Sequence, residues 1–218
     1  MIWVIKWYDV EIVMSEAVSI ERRKMIKAFG WKIILTDANL WTDWAIVKAR
    51  ELVKKYPKKY FMPDQYSNKY NKLAHYETTA KEILTQTWWK IDYLVSALGT
   101  SWTIMGIWKY LKEKDPKIKI VCAEPVLWHY IQGLKNMKEA LVPAIYNPKK
   151  IDINIIIESE EAFKMARQIA KKEWILVWMS SWAAMLAAIK LAKKIKSWVI
   201  VVIFPDRWEK YLSTWLFK

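Results

Sequence analysis

Short apolar runs alternate with segments of helical periodicity along almost the whole chain. Residues 10–14, 32–36, 92–95, 119–123 and 151–157 are of strand length and rich in β-branched side chains. Residues 19–29, 42–56, 76–86, 104–112, 159–172 and 181–194 carry apolar side chains three and four apart and read as helices. Residues 60–62 read as one more short strand, and 127–142 as an irregular connection. The run 198–204 is so continuously apolar that it predicts a strand covered on both faces, as in a parallel sheet between helices. The pattern therefore predicts an α/β fold. The polar stretch Pro63-Asp64-Gln65-Tyr66-Ser67-Asn68 is rich in turn formers and interrupts the alternation, which predicts two sheets.

Parallel sheets bind ligands outside the carboxyl ends of their strands, so the loops at residues 62–71, 99–103, 128–133 and 178–182 are the places to look. The stretch Leu98-Gly99-Thr100-Ser101-Trp102-Thr103 joins a strand to a helix through small and hydroxylic residues. The first amides of a helix have no internal partner and carry the positive end of the dipole, so an anion is held well there. Trp102 conflicts with this, since a phosphate cradle needs almost no side chain. Ser180 and Ser181 pair two hydroxyls at a helix start, which by itself is ordinary capping. His75 and His129 lack the spacing of a metal site and no cysteine accompanies them, so no metal is expected. Asp64, Glu77 and Glu124 read as surface or capping groups. Cys122, the single cysteine, lies in an apolar run and reads as a buried small hydrophobe in a reducing compartment.

Composition adds one anomaly. The 218 residues include 16 Trp and 4 Gly, where glycine alone ordinarily makes up about 7% of a chain. The formal charge of +14 raises nucleic-acid or anionic-membrane binding. The lysines, however, are spread along helical segments as solvated faces are, without an arginine-rich arm or aromatic platform. Neither nucleic acid nor membrane is expected as a partner, and no apolar run approaches the ~18 residues of a span. A cytoplasmic protein is the expectation.

The motifs Asp64-Gln65-Tyr66-Ser67-Asn68, His75-Tyr76-Glu77-Thr78-Thr79, Gly99-Thr100-Ser101-Trp102-Thr103, Ala123-Glu124-Pro125, Ile131-Gln132-Gly133 and Met179-Ser180-Ser181-Trp182-Ala183-Ala184 follow one another in an order and spacing that resembles the cysteine synthase (O-acetylserine sulfhydrylase) family. Phe204-Pro205-Asp206-Arg207-Trp208, continuing through residue 214, and the earlier Ser15–Lys24 look like the same family. The resemblance implies two three-layer parallel-sheet domains of the fold type II pyridoxal-phosphate enzymes. Residues 1–67 would be the remainder of a mobile first domain and 68–218 the cofactor-phosphate domain. It implies β-replacement, in which acetate leaves O-acetylserine and sulfide takes its place to give cysteine, with cystathionine β-synthase chemistry or a non-catalytic binding role as alternatives. Gly99, Thr100, Ser101, the Trp102 position and Thr103 would hold the phosphate of pyridoxal 5'-phosphate, and Ser180 the pyridine nitrogen. Gln65 would bind the substrate carboxylate, and Gly133 would line the site where the domains close. A homodimer and the C-terminal tail of serine acetyltransferase are the implied partners.

Two departures accompany the resemblance. The lysine that bonds the cofactor and the family's S-G-N-T-G loop are expected upstream of Met1, so no lysine here is assigned that role and the first domain is expected to be incomplete. The family pattern also carries glycine at Trp7, Trp102, Trp178, Trp182 and Trp208. Substitution that selects glycines alone points to one codon read as Trp where the organism reads Gly. The polypeptide as written is then expected to fold poorly and to bind little cofactor.

Overall fold

The structure, a computed structural model, describes residues 2–196 and 198–208. The chain forms two compact units, the first ending at Pro63 and taking in Trp208, the second running Asp64–Arg207. The turn expected to separate the domains thus begins the second unit.

In the first unit α1 (Ile2–Ile5), β1 (Glu11–Ser15), α2 (Ile20–Ala28), β2 (Lys32–Thr36) and α3 (Trp41–Lys55) follow the alternation read from the sequence. Strands β1 and β2 pair in parallel, Ile12 opposite Ile33 and Met14 opposite Leu35, and α3 packs on them with Ala45 and Ile46 buried. The strand expected at 60–62 is absent. Phe61 is 82% exposed and Tyr60 donates its hydroxyl to Glu11 at 2.8 Å, while Pro57 and Pro63 bracket the stretch. A strand exists by its ladder, and three apolar residues between prolines have none to join.

The second unit holds α4 (Lys69–Glu77), α5 (Thr79–Gln86), β3 (Tyr93–Ala97), α6 (Trp102–Lys114), β4 (Lys119–Pro125), β5 (Ile153–Ile157), α7 (Ser159–Glu173), α8 (Met179–Ala192) and β6 (Ile200–Val202). Its sheet has the order β5-β4-β3-β6 with every pairing parallel. Alternation along the strands gives each face its own core. Leu94, Ile120 and Cys122 are buried against Ile83 and Leu84 of α5 and Ile104, Ile107 and Leu111 of α6. On the other face α8 lies across all four strands, presenting Ala183, Ala184, Ala187 and Leu191 from a helix apolar nearly all round. A three-layer α/β/α unit results, as strands without polar faces require.

The helix expected over 76–86 is two helices broken at Thr78, where φ −117° and ψ −80° leave the helical path and the hydroxyl bonds the carbonyl of Ala74 at 2.7 Å. Helix α4 is not legible in the sequence because it buries no residue completely; it is started by Asn68, whose side chain accepts from Tyr70 N at 3.0 Å. The expectation that 198–204 is covered on both faces also fails. Among the described residues the strand proper is three residues long, all partly exposed, and β6 stands at the sheet's edge, with Trp198 54% exposed before it.

Candidate active site

Strand β3 delivers the chain into a cradle at its carboxyl end. Leu98 N donates to Ala123 O at 3.2 Å and Lys135 N to Leu98 O at 2.7 Å, clamping the turn between β4 and the connection after it. A Cβ at Gly99 would stand 2.6 Å from the carbonyl oxygen of Gly133, so the two backbones meet only because Gly99 has no side chain there. Gly133, at φ +94°, is itself in the left-handed region. Ser101 is held left-handed at φ 65°, and its buried hydroxyl has no hydrogen-bond partner. Helix α6 starts at the next residue with no side-chain cap. A strained serine, an unsatisfied hydroxyl and the uncapped amides of a 13-residue helix converge on one point.

Thr103, in the first turn of α6, is tied to a residue for which the sequence shows no role, a metal site being unexpected there. His75 of α4 sits half-buried with Nε2 3.2 Å from Thr103 Oγ1 and Nδ1 2.9 Å from Thr79 Oγ1. Burial holds its pKa below the ordinary histidine value, and His129 is lowered the same way. The Trp102 indole lies beside this imidazole, ring centroids 6.4 Å apart.

Protonating either buried ring opposes folding. Above about pH 7.5 both histidines are neutral in folded and unfolded chains alike, and their contribution to stability is complete. As pH falls below that value the unfolded chain takes up protons first, and stability declines toward the lower folded pKa. Urea midpoints are expected to drop between about pH 7.5 and about pH 5.5, less steeply in a His75→Gln variant. Equal slopes in the two proteins would overturn the assignment to His75.

The start of α8 lies at the same edge. Trp178 N donates to Asp206 O at 3.1 Å and Ser181 Oγ to the same carbonyl at 3.4 Å. Asp206 follows β6, whose continuation bonds β3 through Ile203 N to Val95 O at 3.0 Å. Ser181 is therefore occupied structurally, and Ser180 is buried one residue before it in the first helical turn. Trp178 and Trp182 are buried alongside, rings 5.9 Å apart. Gln65 is exposed in the turn before α4, where its carbonyl accepts from Asn71 Nδ2 at 2.8 Å.

Of the carboxylates, Asp64 does cap its turn, accepting from Tyr66 N at 3.1 Å and Ser67 Oγ at 2.7 Å, and Glu77 is exposed. Glu124 corrects the surface reading: it is buried at the end of β4, accepting from Asn154 Nδ2 and from Met137 N at 3.4 Å. It thereby fixes the connection that carries Gly133. Cys122 is buried as expected, its thiol pKa pushed far up by burial and by the neighbouring Glu124.

A model of the family described as pyridoxal-phosphate dependent enzyme matches residues 5–206. The chain belongs to that family. It is 46% identical over 214 residues to a cysteine synthase of Aquifex aeolicus, covering 96% of this chain and 65% of that relative. Among solved structures it is similar to O-acetyl serine sulfhydrylase isoform 3 of Entamoeba histolytica, with TM-score 0.87, 38% identity and coverage of 99% of this chain and 67% of that one. It is also similar to a hydrogen sulfide-producing enzyme of Fusobacterium nucleatum, with TM-score 0.90, 39% identity and coverage of 97% and 74%. The architecture is that of fold type II pyridoxal-phosphate enzymes. The closing stretch of the resemblance, residues 209–214, lies outside the described residues.

Proposed function

We propose that the protein catalyses β-replacement on O-acetyl-L-serine with sulfide, releasing acetate and L-cysteine, with pyridoxal 5'-phosphate as cofactor. The observation that carries this is the buried, unpartnered hydroxyl of Ser101 at the uncapped start of α6. A buried hydroxyl without a partner is costly, and a phosphate supplies the acceptor it lacks. Gly99, Thr100, Ser101 and Thr103 fit a phosphate through hydroxyls and helix-terminal amides, and Gly133 keeps the backbone close behind them. The residue out of place is Trp102, an indole on the first residue of α6 where the family pattern has no side chain.

When bound, the cofactor withdraws electrons from the substrate's α-carbon, easing loss of the proton there and of the β-acetoxy group. The chain's own part is binding and orientation. Ser180 offers a neutral hydroxyl to the pyridine nitrogen, so ring protonation is not enforced as a carboxylate would enforce it. Gln65 holds the substrate carboxylate, and Gly133 lines the substrate side. His75 restrains Thr103, so the phosphate meets a preset donor. The reading extends to a cytoplasmic homodimer that binds the C-terminal tail of serine acetyltransferase, testable by sedimentation and by titrating the tail peptide.

Assaying the intact gene product with O-acetylserine and sulfide, against serine and homocysteine, tests the reaction. Cysteine and acetate in equal amounts are expected. Cystathionine from the second pair alone would replace the reading with cystathionine β-synthase chemistry, and no product from either would leave a binding module. Ser101→Ala is expected to weaken pyridoxal-phosphate binding about tenfold, read by fluorescence titration, a loss of ~1.4 kcal/mol.

A further inference from the structure

Among the described residues seven that are not glycine have left-handed backbone, and five of them are tryptophan: Trp7 (φ 58°), Trp88 (52°), Trp89 (62°), Trp128 (57°) and Trp174 (57°). A Cβ in this region crowds the neighbouring carbonyl, which is why glycine fills it by default and a bulky side chain is an outlier.

The helix ends show what residue the backbone calls for. Helix α2 closes with Gly30 N donating to Lys27 O at 2.9 Å and Trp31 N to Ile26 O at 3.4 Å, Gly30 standing left-handed at φ 76°. This pair of bonds, with glycine at the turning residue, is the Schellman closure. Helix α5 closes with the same pair: Trp88 N to Thr85 O at 3.2 Å and Trp89 N to Leu84 O at 2.9 Å. Here Trp88 takes the glycine's place. Trp7 turns the end of α1 likewise, beneath Tyr8 N to Trp3 O at 3.0 Å, and Trp174 ends α7 in the left-handed region.

The indoles give nothing back. Trp7 is 94% exposed, Trp88 83%, Trp128 87% and Trp174 89%, and Trp89 63%, so burial offsets little of the strain. The residues that are glycine occupy the same kinds of place. Gly30 and Gly133 are left-handed, and a Cβ on Gly99 or Gly106 would run into backbone oxygen at 2.6 and 2.3 Å.

We infer that these tryptophans occupy positions that the functional polypeptide fills with glycine, because UGA, read as glycine in the source cell, has been written as tryptophan. Trp102, Trp178 and Trp182 belong to the same set. The phosphate cradle of the functional chain then carries glycine between Ser101 and Thr103, and the start of α8 loses two buried indoles beside Ser180. The backbone argument stands on residues 7, 88, 89, 128 and 174 and is independent of the proposed reaction.

Peptide mass spectrometry of the protein purified from its source cells decides the matter. Glycine masses are expected at 88, 89, 102, 128 and 174; tryptophan masses there would overturn the inference, as would UGG codons in the gene. A second measurement compares the chain as written with one in which the five left-handed tryptophans are replaced by glycine. A higher urea midpoint, or soluble protein where the written chain gives none, is expected of the glycine form. An equal or lower midpoint would overturn it. Neither readout involves catalysis, so the inference stands or falls separately from the proposed reaction, which is tested on the intact gene product.

Discussion

Replacing Trp102 with glycine is expected to raise affinity for pyridoxal phosphate by about 10- to 100-fold, measured in a background where residues 7, 88, 89, 128 and 174 are already glycine. The physical argument is one of access. The start of α6 has no side-chain cap and the buried hydroxyl of Ser101 has no hydrogen-bond partner. A phosphate dianion that reaches them gains charge-assisted hydrogen bonds worth ~1.5–3 kcal/mol each, of which the loss of one corresponds to the stated range. At residue 102 the side chain stands on the first helical residue itself, directly after Ser101. The ring is partly buried beside His75 of α4, whose imidazole stays tied to Thr79 and Thr103. Fluorescence titration with pyridoxal phosphate, and competition by inorganic phosphate, gives the two affinities. Equal affinities before and after the Trp102→Gly change would mean that the indole leaves the amides open and that steric exclusion is wrong.

What could be read in advance follows from which signals are local. The strands β2, β3, β4 and β5 were legible because each contains a short, largely apolar run of strand length between helical segments, the pattern that an alternating α/β chain produces. The cradle was legible for a related reason: a buried run that stops at Leu98-Gly99-Thr100-Ser101 and resumes with helical spacing defines a strand-to-helix turn. Helix α4 escaped because it rests on α6 without burying any residue completely, so its apolar stripe is faint. The edge position of β6 was invisible because composition reports how apolar a strand is and not how many neighbours it has. Glu124 was misread for the opposite reason. A carboxylate in sequence looks like surface, and only the fold brings Asn154 and the Met137 amide to satisfy it inside. His75 required tertiary contact too, since Thr103 lies 28 residues away.

Gly106→Ala is expected to cost about 2 kcal/mol of stability, the upper end of the overpacking range less ~1 kcal/mol of helix propensity, and so more than Gly30→Ala, although helix propensity alone predicts the reverse. Glycine inside a helix gives up ~1 kcal/mol relative to alanine, and Gly106 lies in the middle of α6, so the intrinsic term favours the substitution. Packing opposes it. A Cβ there would stand 2.3 Å from the carbonyl oxygen of Lys72 and 2.8 Å from Cβ of His75, both on α4. A backbone oxygen and a Cβ cannot swing aside as the end of a flexible chain does, so α4 must move as a unit, and overpacking of this kind costs ~1–3 kcal/mol. At Gly30 a Cβ meets nothing within 4 Å, and the cost is the left-handed φ of 76° alone, about 1 kcal/mol. For a chain of this size each kcal/mol shifts the melting temperature by ~2–4 °C, so thermal scans separate the two variants. Displacing α4 also carries His75 away from Thr103, so Gly106→Ala is expected to weaken pyridoxal-phosphate binding as well, while Gly30→Ala, in the other unit, leaves it unchanged. Loss of binding in both variants would indicate global loosening, and loss in neither would remove His75 and the α4–α6 contact from the control of the cradle.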